Sequence, residues 1–145
     1  MKQKKIGLAL GGGAVLGAAH VGVLKAIDEL EISIEYVAGT SAGALIASLF
    51  AFGNKWQKIE KIILDMDWFD VSELTLSKFG LLSNEKIRDI IIENIGDVKI
   101  NESKIPLSII ATDICSGEKV IMKDDSLADA VKASACVPGV FTPVE

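Results

Sequence analysis

At 145 residues, half of them hydrophobic and only 6% aromatic, the chain has the length for one compact domain with an aliphatic core. Its formal charge of −5, from 15 basic and 20 acidic side chains, argues against the clustered positive surface that nucleic acid requires and against a strongly basic membrane-docking face. Two cysteines, Cys115 and Cys136, are too few for a disulfide framework and lack metal-site spacing. No metal site and no structural disulfide is therefore expected, and the expected location is a reducing cytoplasm.

The chain opens on Met1-Lys2-Gln3-Lys4-Lys5 and an apolar run, the outline of a signal peptide, but Gly11, Gly12 and Gly13 interrupt the run where a signal would be continuous. No stretch approaches the roughly 18 apolar residues of a spanning helix, so a soluble chain is expected. Ile6–Leu10 ends in glycines and suits a short buried strand. From Ala18 to Leu30, apolar residues recur at Val21, Val23, Leu24, Ile27 and Leu30, which is helical spacing. Ile34–Val37 reads as a second strand. Ala42–Phe52, closed by Gly53, reads as a helix so apolar that it must be buried on most sides.

Lys55–Asp67 is amphipathic, with Ile59, Ile62, Ile63 and Met66 on one face. Ser83 can cap a helix through Glu93 that ends near Gly96. Leu107–Thr112 and Lys119–Met122 look like strands on either side of Asp-Ile-Cys-Ser-Gly-Glu, and Ser126 can cap a last helix before Pro138. The alternation predicts one α/β domain over 1–145, with a largely parallel sheet flanked by helices.

Chemistry concentrates in two glycine-rich stretches. Gly39-Thr40-Ser41-Ala42-Gly43 fits G-x-S-x-G between a predicted strand and a predicted helix, the context that lifts a serine hydroxyl onto a sharp turn above a sheet. Gly39 and Gly43 leave room for that turn and for close helix packing, and the helix N-terminus favours developing negative charge. The plainer alternative is a serine capping a buried helix. Motif and context together favour Ser41 as a nucleophile.

A nucleophile of this kind needs an oxyanion site, and Gly11-Gly12-Gly13-Ala14, leaving a strand and preceding a helix, can converge several backbone N–H groups on one point. A dinucleotide-binding loop also follows a strand and opens a helix, but the spacing fits it poorly, because either register puts Leu16 or Ala14 where a glycine belongs. The expectation is that the Ser41 hydroxyl reaches a pocket beside Gly12 and Gly13.

The pair Leu8–Leu24 and Gly39–Leu45 resembles the patatin-like phospholipase family in its bacterial form. Gly80–Ile91, Ile109–Glu118 and Lys132–Val144 resemble later stretches of that family in the same order. The resemblance implies a serine–aspartate dyad without histidine, with Ser41 as nucleophile and Gly11, Gly12, Gly13 and Ala14 as the oxyanion hole. It implies acyl esters of lipids as substrates and no metal or organic cofactor. Leu16 stands where the family usually carries Arg or Lys.

The family's aspartate belongs to an Asp-Gly-Gly or Asp-Gly-Ala motif, and none follows within these 145 residues. The expectation is an incomplete domain, nearly inactive alone, whose uncovered apolar surface favours self-association. A non-catalytic lipid- or partner-binding module of the same fold is the alternative, and a nucleotide-binding protein using Gly11–Gly13 a more distant one.

Other candidates for the base are weaker. His20 reads as a structural, hydrogen-bonded histidine. Asp113 reads as a turn former, and Asp124, Asp125 and Asp129 sit where carboxylates suit a helix start. Trp56, Trp68, Phe69 and Phe79 could line an acyl pocket or touch a membrane surface transiently, but large apolar residues at this spacing are more often core.

Overall fold

Three of the predicted apolar runs pair side by side. The computed structural model describes residues 5–66, 85–137, 141 and 143–144. Strands β1 (Gly7–Leu10), β2 (Tyr36–Thr40) and β3 (Leu107–Thr112) are parallel, and β4 (Lys119–Met122) joins β3 antiparallel, in the order β1-β2-β3-β4. The register sets Leu8, Val37 and Leu107 in one row across the sheet and Leu10, Gly39 and Ile109 in the next. Since side chains alternate along a strand, these rows share one face. That face meets helix α2 (Ala42–Ala51).

Helix α2 carries the core. Residues 42–49 and 51 are all buried, which agrees with its nearly all-apolar sequence. Around it lie α1 (Ala19–Glu29), α3 (Trp56–Asp65), α4 (Glu85–Asn94) and α5 (Leu127–Ser134). On α3, Ile59 and Ile63 point inward as the periodicity requires. Trp56 is half-buried against the core, donates from Nε1 to Asp28 at 3.2 Å, and lies under the Lys25 ammonium. The core reading therefore holds for Trp56. Trp68, Phe69, Phe79 and the cap expected at Ser83 lie outside the described residues. No described helix is long and apolar enough to cross a membrane.

Several boundaries differ from expectation. Strand β2 begins at Tyr36 rather than Ile34 and runs on through Gly39 and Thr40, because β1 pairs with it as far as Gly39 opposite Leu10 and β3 as far as Thr40 opposite Ile110. Ladder hydrogen bonds, not apolar side chains, set its limits. The helix predicted from Ala18 starts instead as a 3-10 turn over Ala14–Ala18 and becomes α-helical at Ala19. Of the apolar residues at helical spacing, Val21 and Leu24 are buried while Val23 and Leu30 are exposed. A single 3-10 turn at Ile100–Glu102 was not anticipated.

Helices α4 and α5 are joined by two ion pairs, Arg88 to Asp129 at 3.0 Å and Glu85 to Lys132. The Arg88 guanidinium is held above its ordinary pKa, chiefly by its hydrogen bond to Asp129. Ser126 caps α5 as expected, its hydroxyl accepting the Asp129 N–H at 3.4 Å. Asp129 therefore serves both the helix start and the partner helix.

Asp113 shapes the β3–β4 hairpin as its sequence context suggests. Its carboxylate accepts the N–H groups of Cys115 at 2.8 Å and Ser116 at 3.4 Å. The Cys115 hydrogen bond, followed by those of Ser116, holds its pKa below the usual carboxylate value. A lowered folded-state pKa means stability that is complete above the unfolded pKa and lost as pH falls through the folded one. The melting-temperature difference between wild type and Asp113→Ala should thus be constant near neutrality and shrink in acid. A difference that does not change with pH would contradict this.

Candidate active site

Ser41 stands at the turn between β2 and α2 with φ 54° and ψ −124°, a backbone conformation that an L-residue rarely adopts. The strain is offset by the elements on either side, since the strand before it is paired on both edges and the helix after it is buried. Ser41 is half-buried, and no described residue hydrogen-bonds its hydroxyl. That hydroxyl makes no capping hydrogen bond to α2, although Ser41 stands at its N-cap position.

Two glycines of the motif explain the close packing beneath the turn. A Cβ at Gly43 would lie 2.2 Å from the Leu10 carbonyl oxygen and 2.5 Å from that of Gly11. A Cβ at Gly39 would lie 2.5 Å from the Gly43 carbonyl oxygen and 2.6 Å from Ala44 Cα. Neither position has room for a side chain. The start of α2 is therefore pressed directly onto the end of β1, and the two glycine-rich stretches meet backbone to backbone.

The loop that follows β1 reaches Ser41 through Gly12, where a Cβ would come within 3.2 Å of Ser41 Cβ and 3.8 Å of its Oγ. The N–H groups of Gly12, Gly13 and Ala14 donate no hydrogen bond to any described residue. The Gly11 carbonyl, in contrast, is fixed. It accepts His20 Nε2–H at 2.9 Å and lies against Gly43. Across a planar trans peptide, the N–H of Gly12 then points the opposite way. Gly11, Gly12, Gly13 and Ala14 are exposed beside the half-buried Ser41.

His20 holds the loop rather than the nucleophile, because the nitrogen that meets Gly11 must be a donor there. The carboxylates of Asp113 and Asp129 are engaged elsewhere, in the hairpin and with Arg88, and Asp125 lines the cavity between the hairpin and α5. Gly13, at φ 153°, and Ala14, at φ 47°, lead into the 3-10 turn. The loop thus does not open straight onto an α-helix N-terminus, as a dinucleotide-binding loop does. Leu16 is 81% exposed on that turn. Cys115 and Cys136 line a cavity of about 780 Å³ between the hairpin and α5 and are not bonded to each other, and burial pushes the Cys136 thiol up. Among the described residues no cluster could hold a metal ion.

One residue at the site carried no signal in the sequence. The Ser41 N–H donates to Ser134 Oγ at 2.8 Å, across 93 residues of chain. A serine in the small-residue run Lys132–Cys136 is indistinguishable from a helix-end serine until the fold brings α5 to the turn.

The sheet order, the buried central helix and the serine turn above a glycine loop define a patatin-like α/β domain. The chain belongs to the patatin-like phospholipase family, which it matches over residues 8–145. It is 33% identical to an uncharacterized NTE family protein of Mycobacterium tuberculosis over 97% of this chain and 40% of that protein. It is 36% identical to the neuropathy target esterase sws of Drosophila persimilis over 96% of this chain and 10% of that protein. The chain thus spans less than half the length of either relative.

The fold is similar to that of VipD from Legionella pneumophila, with a TM-score of 0.79 at 16% identity, covering 98% of this chain and 44% of that one. It is also similar to ExoU from Pseudomonas aeruginosa, in its complex with SpcU, with a TM-score of 0.68 at 21% identity, covering 94% and 37%.

The glycines at the site should respond to substitution very differently. Gly43→Ala drives a methyl group into two backbone carbonyls and should cost at least about 3 kcal/mol, the upper range for overpacking. Nothing lies within 4 Å of a Cβ at Gly11, so Gly11→Ala should leave the unfolding midpoint nearly unchanged. Equal effects in a denaturant titration would contradict the close approach described here.

Proposed function

We propose that the protein hydrolyses acyl esters of lipids, with Ser41 as nucleophile. The observation that carries this reading is the strained Ser41 turn set directly against Gly12, beside three loop N–H groups that donate to no described residue. The Ser41 oxygen attacks the ester carbonyl carbon and passes its proton to a base. The carbonyl oxygen becomes an oxyanion, which the N–H groups of Gly12, Gly13 and Ala14 stabilise. The tetrahedral intermediate expels the alcohol and leaves an acyl-serine, which water hydrolyses.

The base implied by the family resemblance is the aspartate of an Asp-Gly-Gly or Asp-Gly-Ala motif. No described carboxylate or imidazole hydrogen-bonds the Ser41 hydroxyl, which supports a base outside these residues. Exposed Val15 and Leu16, next to the loop, support transient contact with a lipid surface. Exposed Val120 and Ile121, on the two faces of edge strand β4, support self-association.

In a form of the protein that carries such an aspartate, Ser41→Ala should lower kcat on short-chain aryl esters by about 10⁴-fold or more. Gly12→Ala crowds the serine and should lower kcat by about tenfold or more. Residues 1–145 alone should show only the weak turnover that oxyanion donors support, on which Ser41→Ala has little effect. Robust Ser41-dependent turnover by residues 1–145 would reveal another base, with His20 the first to test. Turnover that survives Ser41→Ala in the longer form would refute the nucleophile.

A further inference from the structure

The parallel register between β2 and β3 makes Ser134 more than a neighbour of the turn. Val37 lies opposite Leu107 and donates its N–H to the Pro106 carbonyl at 2.9 Å. In a parallel ladder the next donors on the same side follow at every second residue. Two rungs further on, this pattern aims the Ser41 N–H at the carbonyl of Ile110. That bond is not made directly. The Ser134 hydroxyl stands between the two groups, accepting the Ser41 N–H at 2.8 Å and donating to the Ile110 carbonyl at 2.5 Å. One hydroxyl therefore replaces one rung of the ladder and satisfies both ends of it.

The geometry points to Ser134 as a positioning residue for Ser41, a hydroxyl wedge that lets the nucleophile's backbone leave the sheet while its N–H stays tied to β3. A direct rung would keep residue 41 in the plane of the sheet. A gap with no hydroxyl would leave a half-buried N–H and C=O without partners, which is costly. Ser134 is the last residue of α5 and is itself half-buried, so its position is set by the packing of that helix rather than by solvent. The arrangement also commits the Ser41 N–H, which is therefore not an oxyanion donor. Ser134 touches no reacting atom, and its effect passes entirely through residue 41.

The catalytic consequence rests on the reading of Ser41 as nucleophile, whereas the hydrogen-bond wedge does not, and the test separates them. In residues 1–145, amide exchange followed by NMR should show the Ser41 N–H protected alongside that of Val37. Ser134→Ala should speed exchange at Ser41 by about tenfold or more, the loss of one ladder bond, with Val37 within about twofold of wild type. Ser134→Thr, which keeps the hydroxyl, should restore protection. Fast exchange of the Ser41 amide in the wild type overturns the wedge without any variant, as does unchanged protection in a folded Ser134→Ala. Equal loss in Ser134→Ala and Ser134→Thr would assign the effect to packing and also overturn it. In a form with Ser41-dependent esterase activity, Ser134→Ala should lower kcat by about tenfold or more, with KM within about twofold, and Ser134→Thr should recover it. If Ser41→Ala leaves turnover intact, the nucleophile reading fails while the exchange experiment still decides the wedge.

Discussion

The approach of α2 to the end of β1 is the contact on which the rest of the structure depends. With Gly43 lying on the Leu10 and Gly11 carbonyls, backbone meets backbone with no side chain between them. The first turn of the helix is then fixed in height above the sheet, and Ser41, one residue before the helix, is fixed with it. Beside this contact the Gly11 carbonyl accepts a hydrogen bond from His20. His20, Gly11 and Gly43 thus form one clamp that turns the Gly12 N–H away from Gly43. The strained serine and the direction of the Gly12 N–H have a common origin in this packing.

Much of this was legible in the sequence because it depends on local residue types. The α2 segment could be read as buried because it is apolar around its whole circumference, and the turn before it because glycines flank a serine between two periodic segments. The hairpin aspartate and the Ser126 cap likewise act within three residues of themselves. Boundaries were less legible. Tyr36–Thr40 is a strand because it is paired on both edges, and no property of Ala38-Gly39-Thr40 alone says so. Val23 and Leu30 fit a helical stripe in sequence, yet only the Val21 and Leu24 side of α1 meets the core. Ser134 was out of reach, since its role exists only once residues 93 positions apart are brought together. Family membership added the order of the later segments, which physical periodicity could not have supplied.

The periphery of the site is held by a different kind of force. Helix α5 brings Ser134 to the turn, and α5 is in turn held to α4 by Arg88–Asp129 and Glu85–Lys132. These pairs are partly exposed, so solvent and salt weaken each of them. Their effect is on orientation. Buried Leu127, Ala128, Ala130 and Val131 hold α5 to the core, while the charged pairs oppose rotation of the helix about its axis. A small rotation would be felt at the wedge, because Ser134 lies on the last turn of the same helix.

The Ser41 backbone has a consequence for how such a domain changes over time. Its φ of 54° and ψ of −124° suit glycine far better than serine, and holding a non-glycine residue there costs on the order of 1–3 kcal/mol. A lineage released from the need for the hydroxyl would gain stability by replacing it with glycine. With Ser41 as the proposed nucleophile, selection for folding and selection for chemistry oppose each other at this single position.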